Sequence, residues 1–149
     1  MSLKKERPTW DEYFLNIARM TAARSTCLRN QVGAVIVDER KKIKATGYNG
    51  PPHSVQSCLE RGKCYRIENN IESGTRYETC RAIHAEQNAI IQAGEESCIG
   101  ATLYLFGHSM VCVLCKRFIL QAGIVRVVLK NDEKSEKLEI DTKEWIKEL

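Results

Sequence analysis

From Trp10 to about Ala23, apolar residues recur at Trp10, Phe14, Ile17, Ala18 and Met20, with Tyr13 adjoining. That spacing predicts an amphipathic helix. The pattern then changes period. "VGAVIV" over 32–37 is a continuous apolar run, and "IKATGY" over 43–48 follows it across the charged "DERKK". Two such runs about a polar connection predict a β-hairpin. Further on, a helix is predicted from about Ala82 to Ala93, stopped by Gly94, then a strand "ATLYLF" over 101–106. A second helix follows from about Val113 to Ala122, stopped by Gly123, then a strand "VRVVL" over 125–129. Glycine directly after an amphipathic run is the expected helix stop. "DTKEWIKEL" reads as a terminal helix with Asp141 or Thr142 as its N-cap.

The order α-β-β-α-β-α-β-α predicts an α/β fold, a three-layer α/β/α sandwich with a central mixed sheet and helices on both faces. Residues 50–79 break the pattern. They hold two prolines, three glycines and many charges with weak periodicity, which predicts a long inserted loop with one short helix. Loops of that length inside a compact domain are usually functional. With no internal repeat or linker, residues 1–149 are read as one domain.

Composition changes this picture little. The chain is 43% hydrophobic and 28% charged, and its longest apolar windows fall far short of the roughly 20 residues of a membrane span. Lys4, Lys5, Glu6 and Arg7 stand where an export leader would need an apolar run, so a cytoplasmic protein with no membrane partner is expected. The net charge of +4 is too small for the footprint of a strong nucleic-acid binder. Seven cysteines are the unusual number. In a reducing compartment cysteines more often bind metal or fill cores than pair, and an odd count argues against a closed disulfide framework.

Spacing sorts those cysteines. Cys112-x-x-Cys115 opens one predicted helix, and side chains three apart on a helix face the same way, about 5–6 Å apart at Cβ. Partial positive charge at the helix start favours their thiolates. The preceding helix opens with His84-x-Glu86. His84, Cys112 and Cys115 make three zinc ligands, leaving one of zinc's four positions open for water. Glu86 need not be a ligand and is placed to move protons. A lone histidine or a lone Cys-x-x-Cys is weak evidence. The two together, with one strand between them, are much harder to reach by accident.

At these residues the sequence resembles the cytidine and deoxycytidylate deaminase superfamily, whose signature is H-x-E followed by P-C-x-x-C. "WDEYFLNIARMTAARSTCLRNQVGAVIV", "ATGYNGPP", "HAEQNAI" and "CKRFILQAGIVRVV" are similar to successive blocks of the deoxycytidylate (dCMP) deaminases, over roughly residues 10–129. The resemblance implies a zinc-dependent hydrolase that converts dCMP to dUMP and ammonia. In it His84, Cys112 and Cys115 hold catalytic zinc, and Glu86 protonates N3 of the base and then the leaving ammonia. Asn49 would hydrogen-bond the sugar, and Ala85 is carried over as a lower-ranked substrate contact. The resemblance also implies a homo-oligomer (dimer or hexamer), with dCTP and dTTP as effectors.

Two departures stand out. Val111 takes the place of the usual proline before the first cysteine, and the turn "FGHSMV" differs from the short loop of relatives. His108 in that turn reads as an exposed histidine, with contact to the substrate as the alternative. Cys27, Cys58, Cys64 and Cys80, with His53 nearby, are candidates for a second, structural zinc, since some phage members of the family hold one. The alternative is that Cys27 is core and the others are free thiols. For the phosphate, Arg24, Arg29 and Arg81 are candidates, and the sequence does not choose among them. Other readings stay open: a deaminase of another free nucleotide or of a base in tRNA, or a zinc-binding module that has lost catalysis. Nucleic acid is the less expected partner, because no aromatic and basic strip is evident.

Overall fold

A computed structural model describes residues 5–149; residues 1–4, on which part of the leader expectation rests, lie outside the described set. Helix α1 (Trp10–Ala22) begins at Thr9, whose hydroxyl accepts from the Glu12 amide while Glu12 accepts from the Thr9 amide. Its buried face is Phe14, Leu15, Ala18 and Ala22. Of the expected stripe, Trp10 and Met20 instead face outward, 48% and 61% exposed. The inward face is thus rotated toward Leu15 and Ala22.

Five strands form one sheet: β1 (Gly33–Val37), β2 (Ile43–Tyr48), β3 (Thr102–Phe106), β4 (Arg126–Lys130) and β5 (Leu138–Asp141), in the order β2-β1-β3-β4-β5. β1 is antiparallel to β2 and β3, β3 is parallel to β4, and β5 closes the far edge antiparallel. The sheet is therefore mixed, as expected.

Alternation along the strands divides the core in two. Ala34, Ile36, Leu103, Leu105, Val127 and Leu129 face one side, against α4 (Ala85–Ala93) and α6 (Val113–Ala122). Val35, Val37, Tyr104 and Val128 face the other, against α1. Because both faces are covered, every residue of β1 is buried. This is the three-layer sandwich predicted.

Other elements differ from expectation. β5 was not foreseen; Leu138 and Ile140 alternate with Glu139 and Asp141, but four residues are too short a run to stand out, and only Ile140 is even half-buried. The terminal helix is a 3-10 run over Thr142–Lys147, capped by the Asp141 carboxylate accepting from the Lys143 amide. A one-turn helix, α5 (Glu95–Cys98), follows directly on α4. The 50–79 segment holds two one-turn helices, α2 (Cys58–Arg61) and α3 (Tyr65–Glu68), and a 3-10 turn at Tyr77–Thr79, rather than one helix.

The segment also leaves and rejoins the fold at one point. Gly50 and Ile83 exchange backbone hydrogen bonds of 3.2 and 2.7 Å, a small bridge at its neck. Residues 82–83 are thereby held extended, and α4 starts at Ala85 rather than near Ala82. The residue before His84 is pinned to the residue after Asn49.

Candidate functional site

Two side chains of the site occupy the same position on their helices. His84 is the N-cap of α4 with φ −69° and ψ 154°; Cys112 is the N-cap of α6 with φ −69° and ψ 158°. Extended backbone before a helix start aims each side chain back across its first turn. The Cys115 amide donates to Cys112 Sγ at 3.4 Å, and Gln87 Oε1 accepts from the His84 amide at 3.0 Å. Both caps are therefore fixed from within their own helices.

α4 comes close to the sheet at Gly47. A Cβ there would stand 2.5 Å from both the Ala85 carbonyl oxygen and the Ala89 nitrogen. Asn88 reinforces the contact by donating to the Tyr48 carbonyl at 2.8 Å. Glycine at 47 thus sets how deeply α4, and His84 with it, sits on the sheet.

The result is a convergent donor set. His84 Nδ1 lies 3.2 Å from Cys115 Sγ and 3.4 Å from Cys112 Sγ. Tetrahedral zinc with ordinary bond lengths separates such nitrogen and sulfur atoms by about 3.6 Å. Among the described residues this is the one group of three metal-capable side chains so drawn together, all within 4.8 Å of one another. Two sulfurs and an imidazole nitrogen are borderline-soft donors that suit zinc, and three of them leave a fourth position.

The two sulfurs share their proton unequally. The hydrogen bond from Cys115, joined by that to His84, brings the Cys112 thiol down to about 4. The same bond to Cys112, then burial, then the Glu86 carboxylate push the Cys115 thiol up. The hydrogen bond to Cys112 likewise raises the His84 imidazole. One thiolate is thus ready to bind a cation, and the cation would displace the second proton.

Glu86, only 7% exposed, lines the same cavity as His84 and Cys112. It stands in the first turn of α4. Ala85 and Asn49 also face this cavity. The Asn49 amide is largely spent on the fold. Its oxygen accepts from the Val32 amide at 2.9 Å and the Ser25 hydroxyl at 2.6 Å, and Nδ2 donates to the Asn30 carbonyl at 2.8 Å. One Nδ2 hydrogen is left for a ligand.

Of the candidate arginines, Arg29 and Arg81 line the cavity, whereas Arg24 is exposed beyond the end of α1 and does not. His108 is half-buried in the cavity wall rather than exposed, with Nδ1 accepting from the Met110 amide at 3.3 Å. Val111 is buried in the core, 2% exposed, so an apolar side chain fills the place before Cys112.

Cys27, Cys58, Cys64 and Cys80 all reach the cavity wall, while His53 is exposed and away from it. Cys27 Sγ accepts from the Arg29 and Asn30 amides, each at 3.4 Å. Burial, followed by the neighbouring Cys64, Cys27 and Cys80, raises the Cys58 thiol. Cys98 is fully buried in the core, apart from either group.

Two residues of the inserted segment were not foreseen. The Tyr77 ring stands edge-on to the His84 ring at 5.1 Å, and the Arg66 guanidinium lies over Tyr77 at 5.6 Å. Neither carries a sequence signal, because the segment has no periodicity to say which side chains turn inward.

Comparison with known proteins agrees with this geometry. The family described as the cytidine and deoxycytidylate deaminase zinc-binding region matches residues 8–131. A deoxycytidylate deaminase of Mycobacterium phage D29 is 41% identical over 126 residues, covering 82% of this chain and 94% of that one. A deoxycytidylate deaminase of Schizosaccharomyces pombe is 40% identical over 122 residues, covering 82% of this chain; the chain spans only 37% of that relative's length. Among solved structures, the dCMP deaminase of cyanophage S-TIM5 in complex with dCMP and dUMP is similar with a TM-score of 0.62 and 28% identity, over 84% of this chain and 83% of that one. The chain belongs to the cytidine and deoxycytidylate deaminase zinc-binding family.

Proposed function

We propose that the protein is a zinc-dependent dCMP deaminase, converting dCMP and water to dUMP and ammonia. The observation that carries the reading is a buried carboxylate, Glu86, lining the same cavity as His84 and Cys112 of the convergent donor set. A zinc that only held the fold would have no use for it. The substrate class is supported by the relatives named dCMP deaminases and by the dCMP- and dUMP-bound neighbour.

In this reading His84, Cys112 and Cys115 hold the metal. When bound, zinc brings the pKa of its water near 7, which supplies a hydroxide nucleophile at neutral pH. Glu86 would accept a proton from the attacking water and pass it to N3 of the cytosine ring as the water oxygen bonds to C4. As the C4–N4 bond breaks, Glu86 would take the proton of the hydroxyl now on C4, which becomes the carbonyl, and pass it to the departing amine, which leaves as ammonia. One carboxylate serves both transfers because it stands beside both partners. Asn49 offers its remaining amide hydrogen to the sugar, and Ala85 offers backbone beside Glu86.

The reading takes residues 1–149 as one deaminase domain whose 50–79 insertion roofs the cavity. It also places a second, structural zinc on Cys27, Cys58, Cys64 and Cys80. Its support is that all four line the cavity and that Cys58 has Cys64, Cys27 and Cys80 as neighbours, though the four are less closely drawn together than His84, Cys112 and Cys115. Metal analysis should give two zinc per chain, falling to one in Cys58→Ser/Cys64→Ser; one zinc in both rules the second site out. Exposed Phe118, Val113 and Met110 around α6 support a homo-oligomer. A cytoplasmic location fits the free-thiol chemistry. Among the described residues no helix is long and apolar enough to cross a membrane.

The test is ammonia release from a panel of dCMP, CMP, cytidine, tRNA and single-stranded DNA. dCMP should be preferred, dCTP should raise turnover at low dCMP, and dTTP should lower it. Zinc-replete protein inert on dCMP refutes the reading.

A further inference from the structure

Arg66 is 6% exposed, yet no carboxylate pairs with it among the described residues. Its guanidinium donates only to neutral oxygens. Nη1 reaches the Arg76 carbonyl at 2.7 Å and the Thr79 hydroxyl at 3.1 Å, and Nη2 reaches the Glu72 carbonyl at 3.2 Å. Of five guanidinium hydrogens, these bonds use three. Nε–H and one Nη2 hydrogen have no protein acceptor among the described residues. Arginine does not lose its proton to escape burial, so a buried guanidinium without an anion is costly.

The place of Arg66 in the fold shows what can approach it. Arg66 lines the cavity that also holds Glu86, His84 and Asn49. It is separated from the His84 ring by the single ring of Tyr77, with a 5.6 Å step from guanidinium to ring and a 5.1 Å step from ring to ring. Arg29 and Arg81 touch the cavity too, but both are exposed and water already solvates their charge. Three bonds to the chain around it, from residues 72, 76 and 79, fix the Arg66 fork before any ligand arrives. Arginine held in this way recognises phosphate through paired N–H donors.

We propose that Arg66 is the phosphate-binding residue of this cavity, pairing with the monophosphate ester of the substrate nucleotide. The proposal rests on the nucleotide reading above and assigns the residue that makes a nucleotide, rather than a nucleoside, the preferred ligand. The inserted segment then has a purpose of its own, since it carries the cation to the site.

The experiment is calorimetric binding of dUMP and of deoxyuridine to zinc-loaded wild type, Arg66→Met and Arg66→Lys, alongside zinc content. Wild type should prefer dUMP strongly. In Arg66→Met that preference should fall about 30-fold or more, the size of loss when one partner of a buried charge pair is truncated, with deoxyuridine affinity and zinc unchanged. Arg66→Lys should restore part of it. Equal weakening of both ligands would mean that Arg66 only supports the loop, and an unchanged preference would remove it from the site; either overturns the proposal. If Arg66→Met does not fold, a wild-type crystal with dUMP decides: phosphate on the Arg66 guanidinium upholds the assignment, and phosphate held by other arginines alone overturns it. Binding and turnover are read separately, so wild type that binds dUMP through Arg66 but releases no ammonia from dCMP defeats the deaminase reading alone.

Discussion

Nδ1 of His84 lies 3.2 Å from the sulfur of Cys115, although 31 residues separate them in the chain. The contact exists because α4 and α6 lie side by side on one face of the sheet, each with its N-terminus at the cavity. Zinc binding should therefore depend on all three donors. His84→Ala and Cys112→Ser should each lower zinc affinity by at least about 100-fold, as expected when one of three protein ligands is lost. Competition with a chromophoric chelator measures this directly.

Substitution of Glu86 should separate metal binding from turnover. Glu86→Gln keeps size and hydrogen bonding but cannot carry a proton. Turnover of dCMP should drop by roughly 10²–10⁴-fold, the usual contribution of a positioned general acid–base. Zinc content should match wild type. Activity persisting in a zinc-loaded variant would take the proton-carrying role away from this residue.

Gly47 ties the fold to the site. In Gly47→Ala the new methyl group would meet backbone atoms of α4 at 2.5 Å, so the helix must shift. The variant should lose about 1–3 kcal/mol in denaturant unfolding, the usual range for overpacking a close contact. Because His84 caps α4, zinc affinity should fall as well. Stability lost with zinc affinity untouched would show that the site tolerates movement of α4.

On the opposite face, Asp11 anchors α1 to the sheet. It accepts from the Tyr104 hydroxyl at 2.7 Å, from Arg126 Nη2 at 2.8 Å and from Lys137 at 2.7 Å. Burial alone would raise its carboxyl, but the hydrogen bonds from Arg126, Lys137 and Tyr104 outweigh it and hold the group well below the usual range. The carboxylate therefore stabilises the fold fully above the unfolded value of about 4, and this is lost as pH falls through the depressed folded value. Asp11→Asn should cost about 2 kcal/mol at pH 7, a typical loss for a partly buried charged hydrogen-bonding group. The gap between variant and wild type should close below about pH 4. A gap constant with pH would mean that packing, not charge, holds α1 there.

Much of this was legible in the sequence because local signals and tertiary demands agree. β2 spans Ile43–Tyr48 as the hairpin pattern requires, and Gly94 and Gly123 end α4 and α6. His84, Glu86, Cys112 and Cys115 could be grouped because helix starts joined by one strand leave few ways to arrange them. β5 was missed because its apolar-polar alternation runs for only four residues, Leu138–Asp141, inside a charged segment, and its place is set by pairing with the edge of β4. Arg66 and Tyr77 were equally silent. What turns them inward is the Gly50–Ile83 neck, which folds 50–79 back over the cavity, a long-range contact with no periodic trace.

The measurement that bears most directly on the account is turnover of dCMP as zinc is titrated into metal-stripped protein. Ammonia and dUMP should appear in equal amounts, rising as zinc fills the His84–Cys112–Cys115 site and levelling off when that site is full. Turnover that ignores zinc, or zinc that fills that site without turnover, would contradict it.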